Sequence, residues 1–198
     1  MDDLYTSWET ASRMVIASVR TASFITYVSK ELRRLQDDEL CYRQIAPGLF
    51  AIVVLDLPDE MLFVARSMLV DWGVSFDIVL ETALNRLESA STEPFDRLSD
   101  HVWAGPWQDA HTASRVLLPD VLRRADPSPY VAIPDRDVLI VGQGSYGFAE
   151  IVLMVTTMES RVHPITRVIY QLVGDTLVPV KPPPTRIGAA YAAMLQSG

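Results

Sequence analysis

Apolar residues recur at steps of three and four along the first part of the chain, from Trp8 to Leu35. This period is typical of one face of an α-helix. Thr6 and Glu9 stand at the spacing of a capping box, which marks the N-terminus of a helix. We therefore predict one long helix over residues 1–38, with an apolar face that packs on the core or, alternatively, contacts a partner.

The pattern changes to extended apolar runs separated by turn residues between positions 40 and 65. Pro47-Gly48 and Pro58-Asp59 are turn signals. The stretch "LFAIVVL" is apolar without alternation, which is typical of a central strand covered on both faces. We predict an antiparallel meander of three strands, over residues 40–46, 49–57 and 61–65.

After residue 65, stretches with the helical spacing of apolar residues alternate with extended apolar runs. We predict helices over residues 76–90, 111–124 (interrupted at Pro119) and 148–158. We predict strand pairs over residues 130–133 and 138–141 and over residues 167–173 and 176–180, and an extended Pro-rich segment with a tail helix over 181–198. Because strands follow one another in pairs, the pattern predicts an α+β fold, with a largely antiparallel sheet built from hairpins and packed by the helices. We expect one domain over residues 1–198.

Composition and charge exclude several classes of function. The chain is 49% hydrophobic and 21% charged, which is typical of a globular protein. Its net charge of -8 disfavours nucleic acid as a partner, because phosphates would be repelled. No apolar run is long enough to span a membrane, and the acidic N-terminus does not resemble a secretory signal. With one cysteine and three widely spaced histidines, we expect no disulfide, no metal site and a cytoplasmic location.

The glycines Gly142, Gly144 and Gly147 have G-x-G-x-x-G spacing between a predicted strand and a predicted helix. This spacing occurs in loops that bind the phosphates of dinucleotides. A dinucleotide fold also needs a second parallel strand that ends in an acidic residue about 20 residues further on. That position falls near residues 159–161, after a helix, so we expect no NAD or FAD and no other cofactor.

The turn at residues 134–137 places an arginine between two carboxylates, as Asp135, Arg136 and Asp137. Two nearby carboxylates could perform acid–base chemistry, and the arginine could hold an anion. A local ion pair with an Asx-type hydrogen bond is the structural alternative. No catalytic residue is evident, and we lean against an enzyme.

A loop over residues 94–110 concentrates aromatic and acidic side chains between two predicted helices. Tryptophans in an exposed loop anchor protein interfaces, and carboxylates around them attract basic partners. The alternative is that both rings pack over the core. The candidate partner-binding residues are Trp103, Trp107, Asp96, Asp100 and Asp109.

Five stretches together resemble the YtpQ-like family of uncharacterised bacterial proteins. They are "LFAIVVLDLP", "WGVSFDIVLETALNRL", "SRVLLPDVLRR", "YVAIPDRDVLIV" and, more loosely, "HPITRVIYQL". Their order and spacing cover roughly residues 40–172. The Ile-Pro-x-Arg-Asp step is the most specific of these elements. The resemblance implies an α+β domain and a variable loop at residues 142–147, and it implies no activity.

Two kinds of function remain after these exclusions. The first is a non-enzymatic, cytoplasmic protein that binds another protein; an immunity protein that caps the basic surface of a toxin is one form of it. The second is a small enzyme, or a protein that binds a nucleotide or anion through the turn at 134–137 and the loop at 142–147.

Overall fold

The computed structural model describes residues 5–58, 60–158 and 162–196. The chain forms two compact units, which we call unit 1 (residues 1–90) and unit 2 (residues 91–198). We describe each unit by itself, and the single domain expected from the sequence stays a prediction.

Unit 1 consists of helices around a small antiparallel sheet. Its elements are α1 (Trp8–Ala11), β1 (Val15–Thr21), α2 (Ala22–Gln36), β2 (Tyr42–Ala46), β3 (Leu49–Asp56), β4 (Met61–Phe63), α3 (Arg66–Trp72) and α4 (Phe76–Ser89). The N-termini of the two long helices are capped by side chains. The Thr21 hydroxyl accepts the Phe24 N–H, and the Ser75 hydroxyl accepts the Ile78 N–H.

The prediction of one long helix over residues 1–38 is wrong, because a strand occupies the middle of this range. The chain forms the short helix α1, then strand β1, and the long helix α2 begins only at Ala22. Residues 15–19 are all buried. Because successive side chains of a strand point to opposite faces, both faces of this strand are covered. A helix at a protein surface buries a single stripe, whereas a covered strand buries both faces. Residues 1–4 lie outside the described residues.

Strand β3 is the centre of the sheet in unit 1, as its unbroken apolar sequence predicted. Strand β1 pairs with it along its whole length, from Val15 opposite Leu55 to Thr21 opposite Leu49. Strands β2 and β4 pair with successive parts of β3. Because β1 occupies one edge of β3, these two strands share the other edge. The three strands and their antiparallel pairing were predicted correctly, but the meander was not, because β2 and β4 lie on the same edge of β3 and β1 takes the other edge. Asp59, in the second turn, lies outside the described residues.

Unit 2 is built on a six-stranded antiparallel sheet, in the order β10-β9-β7-β8-β6-β5. Its strands are β5 (Asp96–Arg97), β6 (Val102–Ala104), β7 (Tyr130–Asp135), β8 (Val138–Gly142), β9 (Tyr170–Val173) and β10 (Thr176–Pro179). Its helices are a 3₁₀ helix (Thr112–Leu117), α5 (Pro119–Leu122), α6 (Gly144–Thr157) and α7 (Arg186–Gln196). The α+β class with antiparallel sheets is therefore confirmed.

The core of unit 2 lies between the sheet and helices α6 and α7. A buried cluster joins Ala132 and Ile140 of the sheet to Phe148 and Ile151 of α6 and Tyr191 of α7. The Tyr191 hydroxyl accepts the Ile169 N–H at 2.8 Å. This bond holds α7 against the chain that enters β9.

Two sequence predictions change in the stretch between residues 91 and 124. The stretch expected to be a loop contains the hairpin of β5 and β6, whose strands are only two and three residues long. The helix predicted over 111–124 is divided at Pro119, as expected, and its first part is a 3₁₀ helix. No helix among the described residues has the length and hydrophobicity needed to cross a membrane.

Candidate protein-binding surface

The β5–β6 hairpin forms one edge of the sheet in unit 2 and carries Trp103. Arg97 lies opposite Trp103 in the strand register. The Arg97 guanidinium donates to Asp100 at 2.7 Å and to the Ser99 carbonyl at 2.9 Å. These bonds fix the turn that presents Trp103, so Asp100 serves the hairpin itself.

Trp103 lines an open pocket of about 500 Å³, which we call the aromatic pocket. Its walls are formed by Thr92, Pro94, Phe95, Trp103, Arg124 and Ala125. Trp103 and Phe95 are both half-buried, so part of each ring faces solvent. The Arg124 guanidinium donates to the Ser91 carbonyl, which holds this side chain at the wall. The pocket is thus a fixed concave surface with two aromatic walls.

Trp107 lies beneath this pocket rather than in it. Its side chain is only 6% exposed, and its ring meets the Phe95 ring edge to face at 5.4 Å between centroids. Gly105 leaves space for the ring, since a Cβ at that position would lie 2.9 Å from it. Of the two alternatives for the tryptophans, Trp107 therefore follows the one in which the ring packs in the core. We remove it from the candidate partner-binding residues.

Arg115 lies over a face of the Trp107 ring and is fully buried. Its guanidinium lies 4.2 Å from the Trp107 ring centroid, within cation–π distance. It also donates two hydrogen bonds to Asp109, at 3.0 and 2.7 Å, and one to the Ser91 hydroxyl at 2.8 Å. A buried cation requires such compensation. The bidentate pair makes Asp109 a structural residue rather than a free partner contact.

The surroundings of Asp109 act on its pKa in opposite directions. Burial raises the pKa, but the hydrogen bonds from Arg115 and from the His111 N–H, with the charge of Arg115, outweigh it and lower the pKa overall. The carboxylate is therefore ionised at neutral pH and remains paired with Arg115.

Asp96 differs from the other two acidic residues of the loop. Its side chain is exposed at the edge strand β5, and it forms no ion pair with any residue that the structure describes. Of the five predicted residues, Trp103 and Asp96 thus keep surfaces available to a partner, while Asp100 and Asp109 are paired within the loop.

The turn at residues 134–137 is held by Asp135 rather than by Arg136. Asp135 is buried and accepts the N–H groups of Asp137 and His163, each at 3.0 Å. The Arg136 guanidinium pairs locally with the neighbouring Asp137 carboxylate, at 3.4 Å. The three residues form the local Asx-type turn that was the structural alternative. This arrangement joins the β7–β8 turn to the segment at His163.

The glycines of the G-x-G-x-x-G stretch allow helix α6 to pack closely on strand β8. A Cβ on Gly147 would lie 2.7 Å from backbone atoms of Gly142 and His101. Gly144 adopts a positive φ of 60°, which favours glycine. Both neighbours of β8 in the sheet are antiparallel to it, whereas a dinucleotide loop follows a strand of a parallel sheet. Residues 159–161 lie outside the described residues.

Other reactive side chains are dispersed over the described residues. The ring of His101 stacks on that of Tyr146 at 5.3 Å, and His163 is exposed. Among residues 5–58, 60–158 and 162–196, no three His, Cys, Asp or Glu side chains come together in a way that could hold a metal ion. Cys41 is half-buried in unit 1.

Sequence reasoning missed two residues that line the aromatic pocket, Phe95 and Arg124, and the buried Arg115 that packs on Trp107. Arg115 stands in the apolar run "ASRVLLP", and a charge in such a run is the one signal that could have indicated a buried cation. Phe95 and Arg124 carry no such signal, because they approach Trp103 only through the fold.

Comparisons with known proteins do not assign this chain to a family. No family model matches it, and searches of curated proteins and of solved structures found no similar protein. The resemblance to the YtpQ-like family therefore stays a prediction.

Proposed function

We propose that this chain is a non-enzymatic protein that binds another protein through the aromatic pocket of unit 2. The observation that carries the proposal is the half-buried Trp103, held with Phe95 at an open pocket on a fixed hairpin. Interfaces are anchored by aromatic side chains that are already rigid before binding, because little conformational entropy is then lost.

The pocket favours an apolar or aromatic side chain of the partner. Two rings form its walls, and contact with them would remove apolar surface from water. The Arg124 guanidinium donates one hydrogen bond to a backbone carbonyl and keeps its charge and its other donors, so the partner would also have to hydrate it or pair with it at this wall. Asp96 lies opposite Ala104 rather than Trp103 in the strand register, so its exposed side chain projects from the other face of the hairpin and would contact only a partner that reaches around the edge of the sheet.

We further propose that the partner has a basic surface. Support comes from the net charge of -8, because an acidic protein attracts basic partners and speeds their association. An immunity protein that neutralises a basic toxin in the cytoplasm is the form of this function that we favour. The second candidate, an enzyme or anion-binding protein using residues 134–137 and 142–147, has no observation of its own, since the contacts found there hold the backbone together.

A photo-crosslinking experiment tests the proposal even though the partner is unidentified. Benzoylphenylalanine replaces Trp103 in one variant and Tyr146 in a matched control, and both are expressed in the native host. Tyr146 is a 71% exposed aromatic residue of unit 2 that does not line the pocket. We expect one covalent adduct from position 103, identified by mass spectrometry, and none of that species from position 146.

Two outcomes would argue against the aromatic pocket. An adduct of equal yield from both positions would show that crosslinking reports exposure alone. The absence of any adduct from position 103, with the variant folded and irradiated in its native cell, would contradict binding at this surface.

A further inference from the structure

Unit 1 contains a second concave site, a groove of about 690 Å³ between helix α2 and the start of strand β2. Its apolar lining includes Ile25 and Leu40, which are both buried, and Phe76 at the first turn of α4. A volume of this order is typical of sites for small ligands. The groove lies wholly within unit 1 and shares no residue with the aromatic pocket.

The side chains that line this groove carry more positive than negative charge. Three charged residues line it: Lys30, Arg33 and Glu39. The Glu39 carboxylate is shared between Arg33 at 3.5 Å and Arg66 at 3.1 Å. Because this carboxylate already pairs with two guanidinium groups, it does not neutralise the charge of a third cation.

Lys30 is the lining cation whose charge is not balanced by a carboxylate of the groove. The neighbouring Glu31 pairs with Arg34 at 2.7 Å, and Lys30 forms no ion pair with any residue in the described parts of the chain. Lys30 and Arg33 lie three positions apart on α2 and therefore project from one side of the helix. The groove thus combines an apolar floor with a positive rim, although the chain as a whole is acidic.

We propose that this groove binds an amphiphilic monocarboxylate, with its apolar chain on the rings of Phe76 and Tyr42 and its carboxylate at Lys30. An ionised carboxylate would complete the charge balance of the rim and accept a hydrogen bond from the Lys30 ammonium group. The apolar chain would cover those parts of the Phe76 and Tyr42 rings that are in contact with water. The proposal does not depend on the protein-binding function, which concerns unit 2.

Cys41 offers a direct readout because it lines the groove and is the single cysteine of the chain. Burial, together with the charge of Asp38, raises the pKa of its thiol. Its alkylation by neutral iodoacetamide is therefore followed at a pH of about 8.5, where enough thiolate forms. We expect decanoate to slow the alkylation in a saturable manner, because the bound chain would cover the thiol.

The chain has only two lysines, which provides a matched pair of variants. Lys30→Glu should raise the half-saturating decanoate concentration about tenfold or more, the order expected for loss of a charged hydrogen bond and gain of repulsion. Lys181→Glu makes the same charge change in unit 2 and should leave protection unchanged. Trp103→Ala should also leave it unchanged, which separates this site from the aromatic pocket.

Three results would overturn the proposal. The first is no protection of Cys41 by decanoate. The second is equal protection by nonyltrimethylammonium, which has the same nine-carbon chain and the opposite charge. The third is unaltered protection in Lys30→Glu. If Lys30→Glu fails to fold by circular dichroism, Lys30→Gln supplies the same comparison without charge reversal.

Discussion

The fully buried Arg115 is the residue on which the aromatic pocket depends. Trp107 is enclosed between Arg115 on one face and Phe95 at its edge, and Phe95 in turn forms a wall of the pocket. The buried position of Trp107 is thus supported by the Arg115 cation, and Trp107 in turn supports the Phe95 wall of the pocket. The identity of the exposed tryptophan could not be read from the sequence, because the residues that cover Trp107 approach it only after folding.

Removal of Arg115 should destabilise the protein much more than removal of a similar surface arginine. We expect Arg115→Ala to lower the free energy of unfolding by about 3 kcal/mol or more, because it removes a fully buried side chain packed on Trp107 and leaves the buried Ser91 hydroxyl without this hydrogen bond. Arg97→Ala breaks the exposed pair with Asp100 and should cost less than about 1 kcal/mol. Urea denaturation of both variants measures the difference. Equal losses would show that Arg115 is not the structural centre of the loop.

Two buried tyrosines make the fold sensitive to alkaline pH. Burial, and then the nearby Tyr191, raise the pKa of Tyr170 to about 12, above the value of about 10 in an unfolded chain. The unfolded state therefore ionises first, so stability is complete below about pH 10 and is lost as the pH rises towards about 12. Denaturant titrations at several alkaline pH values should show this loss, and Tyr170→Phe should reduce its slope. An identical pH dependence of stability in the wild type and in Tyr170→Phe would contradict the raised pKa of Tyr170.

Helices and strands differed in how well their sequence patterns predicted them. The strands flanking Pro47-Gly48 were predicted because unbroken apolar runs and a turn agree with each other. Strand β1 was missed because its apolar residues also match helical spacing, and only burial on both faces separates the two interpretations. Strands β5 and β6 are too short to show any period. Strand β6 pairs with β8, which lies far along the chain, and β5 pairs only with β6.

The packing of α6 on β8 predicts different tolerance at two glycines of one stretch. Gly147→Asn would place a Cβ against backbone that cannot move aside, and we expect a loss of about 1–3 kcal/mol in unfolding free energy. Gly144→Asn should cost only a few tenths of a kcal/mol, because open space surrounds Gly144 and asparagine tolerates its positive φ. Thermal unfolding of the two variants tests this. A larger loss at Gly144 would point to a role for the loop other than packing.

Charge is divided unequally over the whole molecule. Unit 1 has 14 acidic and 8 basic residues, whereas unit 2 has 11 and 9. Most of the negative excess thus belongs to unit 1, while the aromatic pocket lies in unit 2. The rate at which a basic partner associates depends on the total charge, whereas the rate at which the complex dissociates depends on desolvated contacts at the interface. We therefore expect association and dissociation to respond to different parts of the chain.

The affinity of the crosslinked partner for variants of Trp103 tests the central claim most directly. In calorimetric titrations with the purified partner, Trp103→Ala should weaken binding by about 2 kcal/mol or more, which is about 30-fold. Its unfolding free energy should change much less than that of Trp107→Ala, where loss of a buried ring costs about 3–5 kcal/mol. Tyr146→Ala, which removes an exposed aromatic outside the pocket, should bind like the wild type. Wild-type affinity in a folded Trp103→Ala variant would contradict the account.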